Sequence, residues 1–267
     1  MAAPTTPSRD PHADARALAA LDLAAHLADP ARKQAFVTPM FDVIAPRYDD
    51  FTRLFSFGMD RRWKNALVAR AVAALPPSAT RALDVACGTG DLAVAVARAR
   101  PGLAVTGVDA SPRMIAAAQS RHGTAGEFGS PVVRFAVGDA MRLDLPDASV
   151  DLLTAGYCYR NVPDWRAALA EAARVIRPGG IFADLDFFRP AFGPWRALLL
   201  WYLRRAGDLV GWAWHRAPVV YGYIAPSIDG FCTRDEFTAT LLRLGFTPVE
   251  VRSYLGGGVA GHVMRRT

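Results

Sequence analysis

The sequence predicts an α/β fold, a mostly parallel seven-stranded sheet whose last strand runs antiparallel. Three observations carry the prediction. Between residues 81 and 187 short apolar runs alternate with helical stretches, which implies parallel strands joined by right-handed crossovers. Leu83 to Ala86 leads at once into Gly88-x-Gly90 and then into Leu92, Val94 and Val96. That order of strand, glycine turn and helix builds a nucleotide crevice, because the glycines let backbone approach the ligand and the helix start presents free N–H groups. Near the end of the chain, Gly256-Gly257-Gly258 joins two apolar stretches by a tight turn, so the final strand returns beside its predecessor.

Taken in order, residues 1–12 are rich in Pro, Thr and Ser and are expected to be disordered. Residues 1–35 then make a disordered or helical extension to a domain of residues 36–267. Ala/Leu spacing predicts a helix from Asp14 to Ala28, stopped by Pro30. Phe36 to Tyr48 is a second amphipathic stretch, with Phe41, Ile44 and Tyr48 at helical spacing, and Arg53 to Ala74 continues as helix. Pro76-Pro77 closes this helical cap, residues 36–77. Strands are expected at 82–86, 103–108, 132–137, 150–155, 180–187, 247–253 and 259–265. The helices among the first five begin near Asp91, Pro112 and Asp164. Ser111-Pro112 is a good helix start, with Ser as N-cap and Pro in the first turn. Residues 138–149 read mostly as loop. Pro178-Gly179-Gly180 ends the helix carrying Leu169 and Val175 and turns the chain into the fifth strand. Residues 191–230 interrupt the pattern with Trp195, Leu198, Leu199, Trp201, Tyr202 and Leu203, interleaved with Arg196, Arg204 and Arg205. This insertion reads as a lobe core, with interfacial docking of the whole helix as the competing reading. A helix from Arg234 to Leu244 precedes the last two strands.

Composition bounds the function classes. In 267 residues, 52% hydrophobic, no apolar run approaches the roughly 20 residues of a membrane span; Ala197 to Leu203 is the longest candidate. The net charge of +6 rests almost wholly on Arg, with Lys only at Lys33 and Lys64. A basic balance suits nucleic acid or an anionic membrane surface. No Lys/Arg tract interleaved with aromatics lies on one strand face, which disfavours nucleic acid. Cys87, Cys158 and Cys232 are far apart and odd in number, so neither a metal site nor a disulfide framework follows. The N-terminus lacks an apolar signal core. The expectation is a cytoplasmic protein, at most peripheral at the inner face of the cytoplasmic membrane. A homodimer is an open option.

Gly88-x-Gly90-x-x-Ala93 also fits a dinucleotide fingerprint. The acids flanking it, Asp84 and Asp91, would repel a pyrophosphate and attract a cation. S-adenosylmethionine carries a sulfonium and an ammonium group, so the loop reads as a methyl-donor site. Asp84, Gly88 and Gly90 belong to it. Asp109 ends the second strand about 20 residues on, where a carboxylate meets ribose hydroxyls. Asp139, in Gly138-Asp139-Ala140 after the third strand, would suit an adenine amino group. The fourth strand exits through Gly156-Tyr-Cys-Tyr-Arg-Asn-Val162, which places Arg160 and Asn161 nearest the reacting centre and Gly156 beside the donor. His215 and His262 are proton-transfer candidates by residue type alone; surface or satisfied histidines are the better reading.

These features resemble the class I, Rossmann-like S-adenosylmethionine methyltransferases, and within them the ubiquinone/menaquinone biosynthesis C-methyltransferases of the UbiE type. Asp84-Val-Ala-Cys-Gly-Thr-Gly-Asp91 is the general signature. More specific are Val43-Ile-Ala-Pro-Arg-Tyr-Asp49 and Phe55-Ser-Phe-Gly-Met-Asp-Arg-Arg-Trp-Lys64. So are Tyr159-Arg-Asn-Val162, Arg174-Val-Ile-Arg-Pro-Gly-Gly180, Tyr221-Gly-Tyr-Ile-Ala-Pro-Ser-Ile228 and Gly256-Gly-Gly-Val-Ala260. The resemblance runs from about residue 36 to the C-terminus. Cys87, Gly156 and Pro226 depart from the family's usual Gly, Ser and acidic residue.

The resemblance implies that Thr89, Asp109, Asp139 and Ala140 bind the donor, and that Tyr48, Tyr221, Tyr223 and Ser227 serve acceptor and lid, the lid being residues 191–230. It implies C-methylation of a polyprenylated quinol, demethylmenaquinol or a 2-methoxy-6-polyprenyl-1,4-benzoquinol, with no metal. Two rivals stay open: a methyltransferase of this fold acting on another aromatic or natural product, and a non-catalytic subunit of a quinone-synthesis complex.

Overall fold

A computed structural model describes residues 11–56, 58–123 and 133–267. The expected disorder at the N-terminus falls mainly outside the described residues, as do residue 132 of the third strand and Phe57 of the Phe55–Lys64 motif. The elements are α1 (Pro11–Ala19), α2 (Leu23–Ala28), α3 (Pro30–Ile44), α4 (Tyr48–Phe55) and α5 (Asp60–Ala74), then β1 (Arg81–Val85), α6 (Asp91–Ala99), β2 (Ala104–Asp109), α7 (Pro112–His122) and β3 (Val133–Val137). They continue with β4 (Val150–Gly156), α8 (Trp165–Val175), β5 (Ile176–Phe187), α9 (Gly193–His215), α10 (Val219–Gly222) and α11 (Ile224–Asp229). The chain closes with α12 (Arg234–Arg243), β6 (Phe246–Tyr254) and β7 (Val259–Arg266).

The seven strands form one sheet in the order β3-β2-β1-β4-β5-β7-β6. β1 to β5 pair in parallel, and β7 slots antiparallel between β5 and β6. This is the expected sheet, antiparallel strand included. Strand order reverses between β1 and its neighbours β2 and β4, which opens the crevice at the carboxyl edge where α/β sheets take ligands. One face is buried under α5 and α6, the other under α8 and α12. A third apolar cluster joins α1, α3 and α4 to α9–α11, with Phe36, Met40 and Phe51 meeting Leu203, Tyr221 and Ile224.

Several expected boundaries move, each for a local reason. The helix expected over 14–28 is two helices, because Asp22 caps α2 by accepting from Ala24 and Ala25 N–H. Pro30 begins α3 rather than merely stopping its predecessor: Asp29 accepts from Ala31 N–H, and a proline in the first turn has no amide to satisfy. A boundary at residue 35 therefore falls inside α3. Pro46 interrupts the next stretch, so α3 ends at Ile44 and α4 starts at Tyr48 after a short 3₁₀ turn. The helix expected from Arg53 to Ala74 breaks at Gly58, whose φ of +74° and N–H bond to Arg53 O form a C-terminal cap. Strand β5 begins at Ile176, directly after α8, and Pro178-Gly179-Gly180 lies within it. Ile176 pairs with Val150 and pairing resumes with Ile181 against Leu152, so the intervening residues bulge out of the ladder.

Candidate active site

Two hollows meet at the carboxyl edge of β1, β2 and β4. The first encloses about 640 Å³ and is lined by Gly88, Asp109, Ser111, Asp139, Ala140, Gly156 and Asn161, with Phe41, Tyr48 and Tyr157 on its other side. The second encloses about 600 Å³ and is mainly apolar, walled by Met40, Phe55, Phe187, Leu203, Val220 and Ile224. Phe41, Tyr48 and Tyr157 line both and form the shared wall.

The first hollow is built from chain turns. Gly88 (φ +53°) and Gly90 (φ +89°) both adopt left-handed backbone, and a Cβ on Gly90 would lie 2.7 Å from the Phe135 ring. Asp109 accepts from Gly88 N–H at 2.9 Å and from Ser111 N–H at 2.8 Å, which ties the glycine turn to the end of β2. Burial raises its pKa, outweighing those two hydrogen bonds. Asp139 is exposed, and its Oδ1 accepts from Met141 N–H.

Not every expected donor residue reaches this hollow. Asp84 lies behind the wall, 1% exposed; its Oδ1 accepts from Thr154 Oγ1 at 2.7 Å and its Oδ2 has no hydrogen-bond partner. Burial pushes its pKa up to about 7. Asp91, the other acid of the electrostatic argument, points outward, 3.6 Å from Arg121. Thr89 is buried and donates to Asp49. The negative charge on the hollow is therefore Asp109 with Asp139, while Asp84 and Asp91 stand behind or outside it. Sequence order had put Asp84 and Asp91 together, but an inward strand position and a helix start face opposite ways.

Arg160 and Asn161 sit where the two hollows meet, Arg160 on the apolar one and Asn161 on the polar one. Arg160 Nη1 donates to Asn161 Oδ1 at 2.9 Å and to Ser227 Oγ at 3.4 Å. Tyr223 OH donates to the same Asn161 Oδ1 at 2.6 Å, and Asn161 Nδ2 donates to Tyr157 O. Tyr221 lines the apolar hollow and stacks on Phe51 at 4.2 Å. Segments more than 60 residues apart in sequence thus converge on one guanidinium and one amide.

Sequence reading missed part of this assembly. Asp186, at the end of β5, is fully buried, with Oδ1 3.5 Å from Arg160 Nε and Oδ2 accepting from Arg160 N–H. Burial raises its pKa to about 7, against the opposing pull of Arg160. Lys33 lies close enough to feel both: burial, then Arg160, lowers its pKa to about 8. Asp60 accepts from Tyr157 OH at 2.6 Å and pairs with Lys64 at 3.0 Å. The one signal available was the pair of acids, Asp184 and Asp186, inside the otherwise apolar strand Phe182 to Phe187, since a charge buried in such a strand is costly unless partnered.

His262 and His215 are core residues, as the blander reading had it. His262 is fully buried between the rings of Phe188 and Phe237, its Nδ1 3.6 Å from Asp184 Oδ2. Burial lowers its pKa to about 3 and pushes that of Asp184 well above the usual carboxylate range. His215 is buried with Nε2 3.3 Å from Tyr221 OH. All three cysteines are free, buried thiols.

Comparison with known proteins agrees with this geometry. Residues 29–266 match the ubiE/COQ5 methyltransferase family. The chain is 37% identical over 226 residues to the demethylmenaquinone methyltransferase of Renibacterium salmoninarum, covering 85% of this chain and 90% of that protein. It is 36% identical over 210 residues to the Deinococcus radiodurans protein of the same name, covering 79% and 84%. The ubiquinone/menaquinone biosynthesis C-methyltransferase UbiE of Desulfotalea psychrophila is 33% identical, covering 85% and 88%. Among solved structures, a possible histamine N-methyltransferase from Thermotoga maritima superposes with a TM-score of 0.55 at 20% identity, covering 85% of this chain and 99% of that one. That likeness shows the fold. The chain belongs to the ubiE/COQ5 methyltransferase family.

Proposed function

We propose that this methyltransferase moves a methyl group from S-adenosylmethionine to a ring carbon of a polyprenylated quinol, demethylmenaquinol or a 2-methoxy-6-polyprenyl-1,4-benzoquinol, at the inner face of the cytoplasmic membrane. The observation that carries the reading is the shared wall. A polar hollow with two carboxylates adjoins an apolar hollow of similar size, and Arg160-Asn161 stands at the junction. The names of the 33–37% identical relatives support the quinol as acceptor.

The residues of the polar hollow suit the donor. Asp109 would take ribose hydroxyls and Asp139 with Ala140 the adenine edge, while Gly88 and Gly156 let backbone come close and Gly90 shapes the turn from behind, against Phe135. When bound, S-adenosylmethionine supplies an electrophilic methyl group.

On the acceptor side, a ring carbon is a poor nucleophile until a neighbouring hydroxyl ionises. A phenol of pKa near 10 needs its anion stabilised, and the fixed charge of Arg160 does this from inside a low-dielectric wall. Asp186 holds that guanidinium from behind, and Tyr223 and Ser227 hold it and Asn161 from the α10–α11 side. Asn161 orients the ring oxygen or a water that carries the proton away. With donor bound, transfer would form a bond between the ring carbon and the methyl carbon as the sulfur–methyl bond breaks with its electron pair left on sulfur, and the ring would lose its own proton to regain aromaticity. Residues 191–230 close over the pair and exclude water. Assaying the purified enzyme with demethylmenaquinol, a demethylated benzoquinol and a panel of simple phenols tests the proposal. Preference for a simple phenol would assign another aromatic acceptor. No transfer to any of them, with donor still bound, would favour a non-catalytic role.

A further inference from the structure

We infer that the outward face of α9 is a docking surface for an anionic phospholipid bilayer. The helix has two opposite stripes. Leu199, Leu203, Gly207, Gly211 and His215 recur every four residues and are all buried. A Cβ on Gly207 would lie 2.6 Å from Tyr221 O, and one on Gly211 2.7 Å from Ala217 O, so this stripe packs flush against the chain that follows. On the opposite side Leu198, Trp201, Arg205, Leu209 and Trp212 follow one another at spacings of three or four, with Arg216 next in the series.

That second stripe faces water with side chains that water does not favour. Leu198, Trp201, Leu209 and Trp212 are 54–65% exposed, and Phe192, just before the helix, is 67% exposed. Of the nine exposed large apolar residues among those described, these are five, so the exposure is concentrated on one face rather than scattered. Its charges have one sign. Arg204 and Arg205 are exposed and have no carboxylate partner among the described residues, and Arg216 lies 4.6 Å over the Trp212 ring. The helix's one acid, Asp208, is half-buried.

Tryptophan, leucine and arginine without exposed acid match the headgroup level of an anionic bilayer, where rings enter the acyl boundary and guanidinium groups meet phosphate. A second copy fits worse, because a two-fold interface would set Arg204 and Arg205 against like charges. No helix among the described residues is long and apolar enough to cross a membrane, so the contact is one of lying on the surface. The inner side of α9 contributes Leu203 to the apolar hollow, so docking would bring that hollow next to the lipid phase. This last link rests on the quinol reading; the docking does not.

The test is sedimentation of the full chain with vesicles, without donor, acceptor or turnover. The chain is expected to pellet with vesicles of phosphatidylcholine plus phosphatidylglycerol, to be released by salt, and to bind phosphatidylcholine alone far less. Arg204→Glu with Arg205→Glu should weaken partitioning by at least about 25-fold, taking roughly fivefold per cation at an anionic surface. Trp201→Ser with Trp212→Ser should weaken it by about tenfold or more, whereas Arg134→Glu on the outer strand should change little. Quenching of tryptophan fluorescence by brominated lipid in the unaltered chain needs no substitution and should be strong. Absence of quenching, binding unchanged in both α9 double variants, or a dimer that those variants dissolve would each overturn the inference, the last by assigning the face to a second copy. Failure of the quinol assay with vesicle binding intact would leave the docking standing.

Discussion

The polar and apolar hollows, which we propose take donor and acceptor, share a wall but are made in different ways. The polar hollow is built from residues at strand ends: Gly88 after β1, Asp109 at the end of β2, Asp139 and Ala140 after β3, Gly156 at the end of β4. Each lies within a few residues of a strand whose place in the sheet follows from the alternation. The acceptor side has no such local unit. It draws Met40 and Phe55 from the cap, Tyr157 and Arg160 from the β4 exit, Phe187 from β5 and Leu203, Tyr221 and Tyr223 from α9–α10. A pocket made of backbone turns is robust and general, whereas a pocket made of distant side chains can be reshaped without touching the donor.

If that division holds, substitutions should separate the two functions. The largest effect is expected from Arg160→Ala, which should cut turnover on quinol by about 10³-fold, close to 4 kcal/mol of barrier, while donor affinity measured by calorimetry stays within a factor of a few. Arg160→Lys, which keeps a charge but not the fork, should recover only part. Unchanged turnover in Arg160→Ala would remove the residue from the chemistry. Next, Asp109→Ala should weaken donor binding by roughly 10- to 100-fold, or 1.4–2.8 kcal/mol, with little change in acceptor KM at saturating donor. A variant that lost both equally would show that the shared wall couples the sites.

A third prediction concerns pH. Asp84 and Asp186 are both buried acids whose native pKa is raised to about 7, above the usual carboxylate value. The native state therefore holds protons that the unfolded chain releases between about pH 4 and pH 7. Stability should be highest at the acid end of that window, fall as pH rises through it, and level off above about pH 7. Each acid should contribute on the order of 2 to 3 kcal/mol of that fall between pH 5 and 8, read from denaturant midpoints. His262, whose lowered pKa favours the native state as pH rises towards 6.5, should partly offset it. Asp84→Asn should remove about half of the acids' contribution while keeping the acceptor for Thr154 Oγ1. A stability that climbs across the same window would contradict the burial argument.

The smallest effect is expected at the edge of the acceptor side. Ser227→Ala removes one long hydrogen bond to Arg160 and should cost less than about 1 kcal/mol of turnover, seen in kcat rather than donor binding. A loss as large as that of Arg160→Ala would mean that the α11 contact sets the guanidinium's position.

The sheet was legible because burial on both faces leaves a periodic apolar record, and glycines mark turns that other residues cannot make. The stretches Tyr159–Val162 and Tyr221–Ile228 could be recognised, but their meeting could not. Helix breaks at Asp22, Pro46 and Gly58 were visible as residues yet outweighed by apolar spacing. Asp84 and Asp91 illustrate the limit: seven residues apart, they suggested a common field, and the fold turned one inward to Thr154 and the other outward to Arg121.

What the amino-acid sequence by itself determined was the order of strands and helices, the glycine turn and the strand-end acid Asp109, because these follow from local backbone preference and the period of apolar burial. Only the tertiary structure decided which carboxylates face the donor hollow, that Asp186 backs Arg160, and that Tyr223 and Ser227 grip the Arg160-Asn161 pair. Those depend on side-chain direction and on packing between segments far apart in the chain, and neither leaves a periodic trace in sequence.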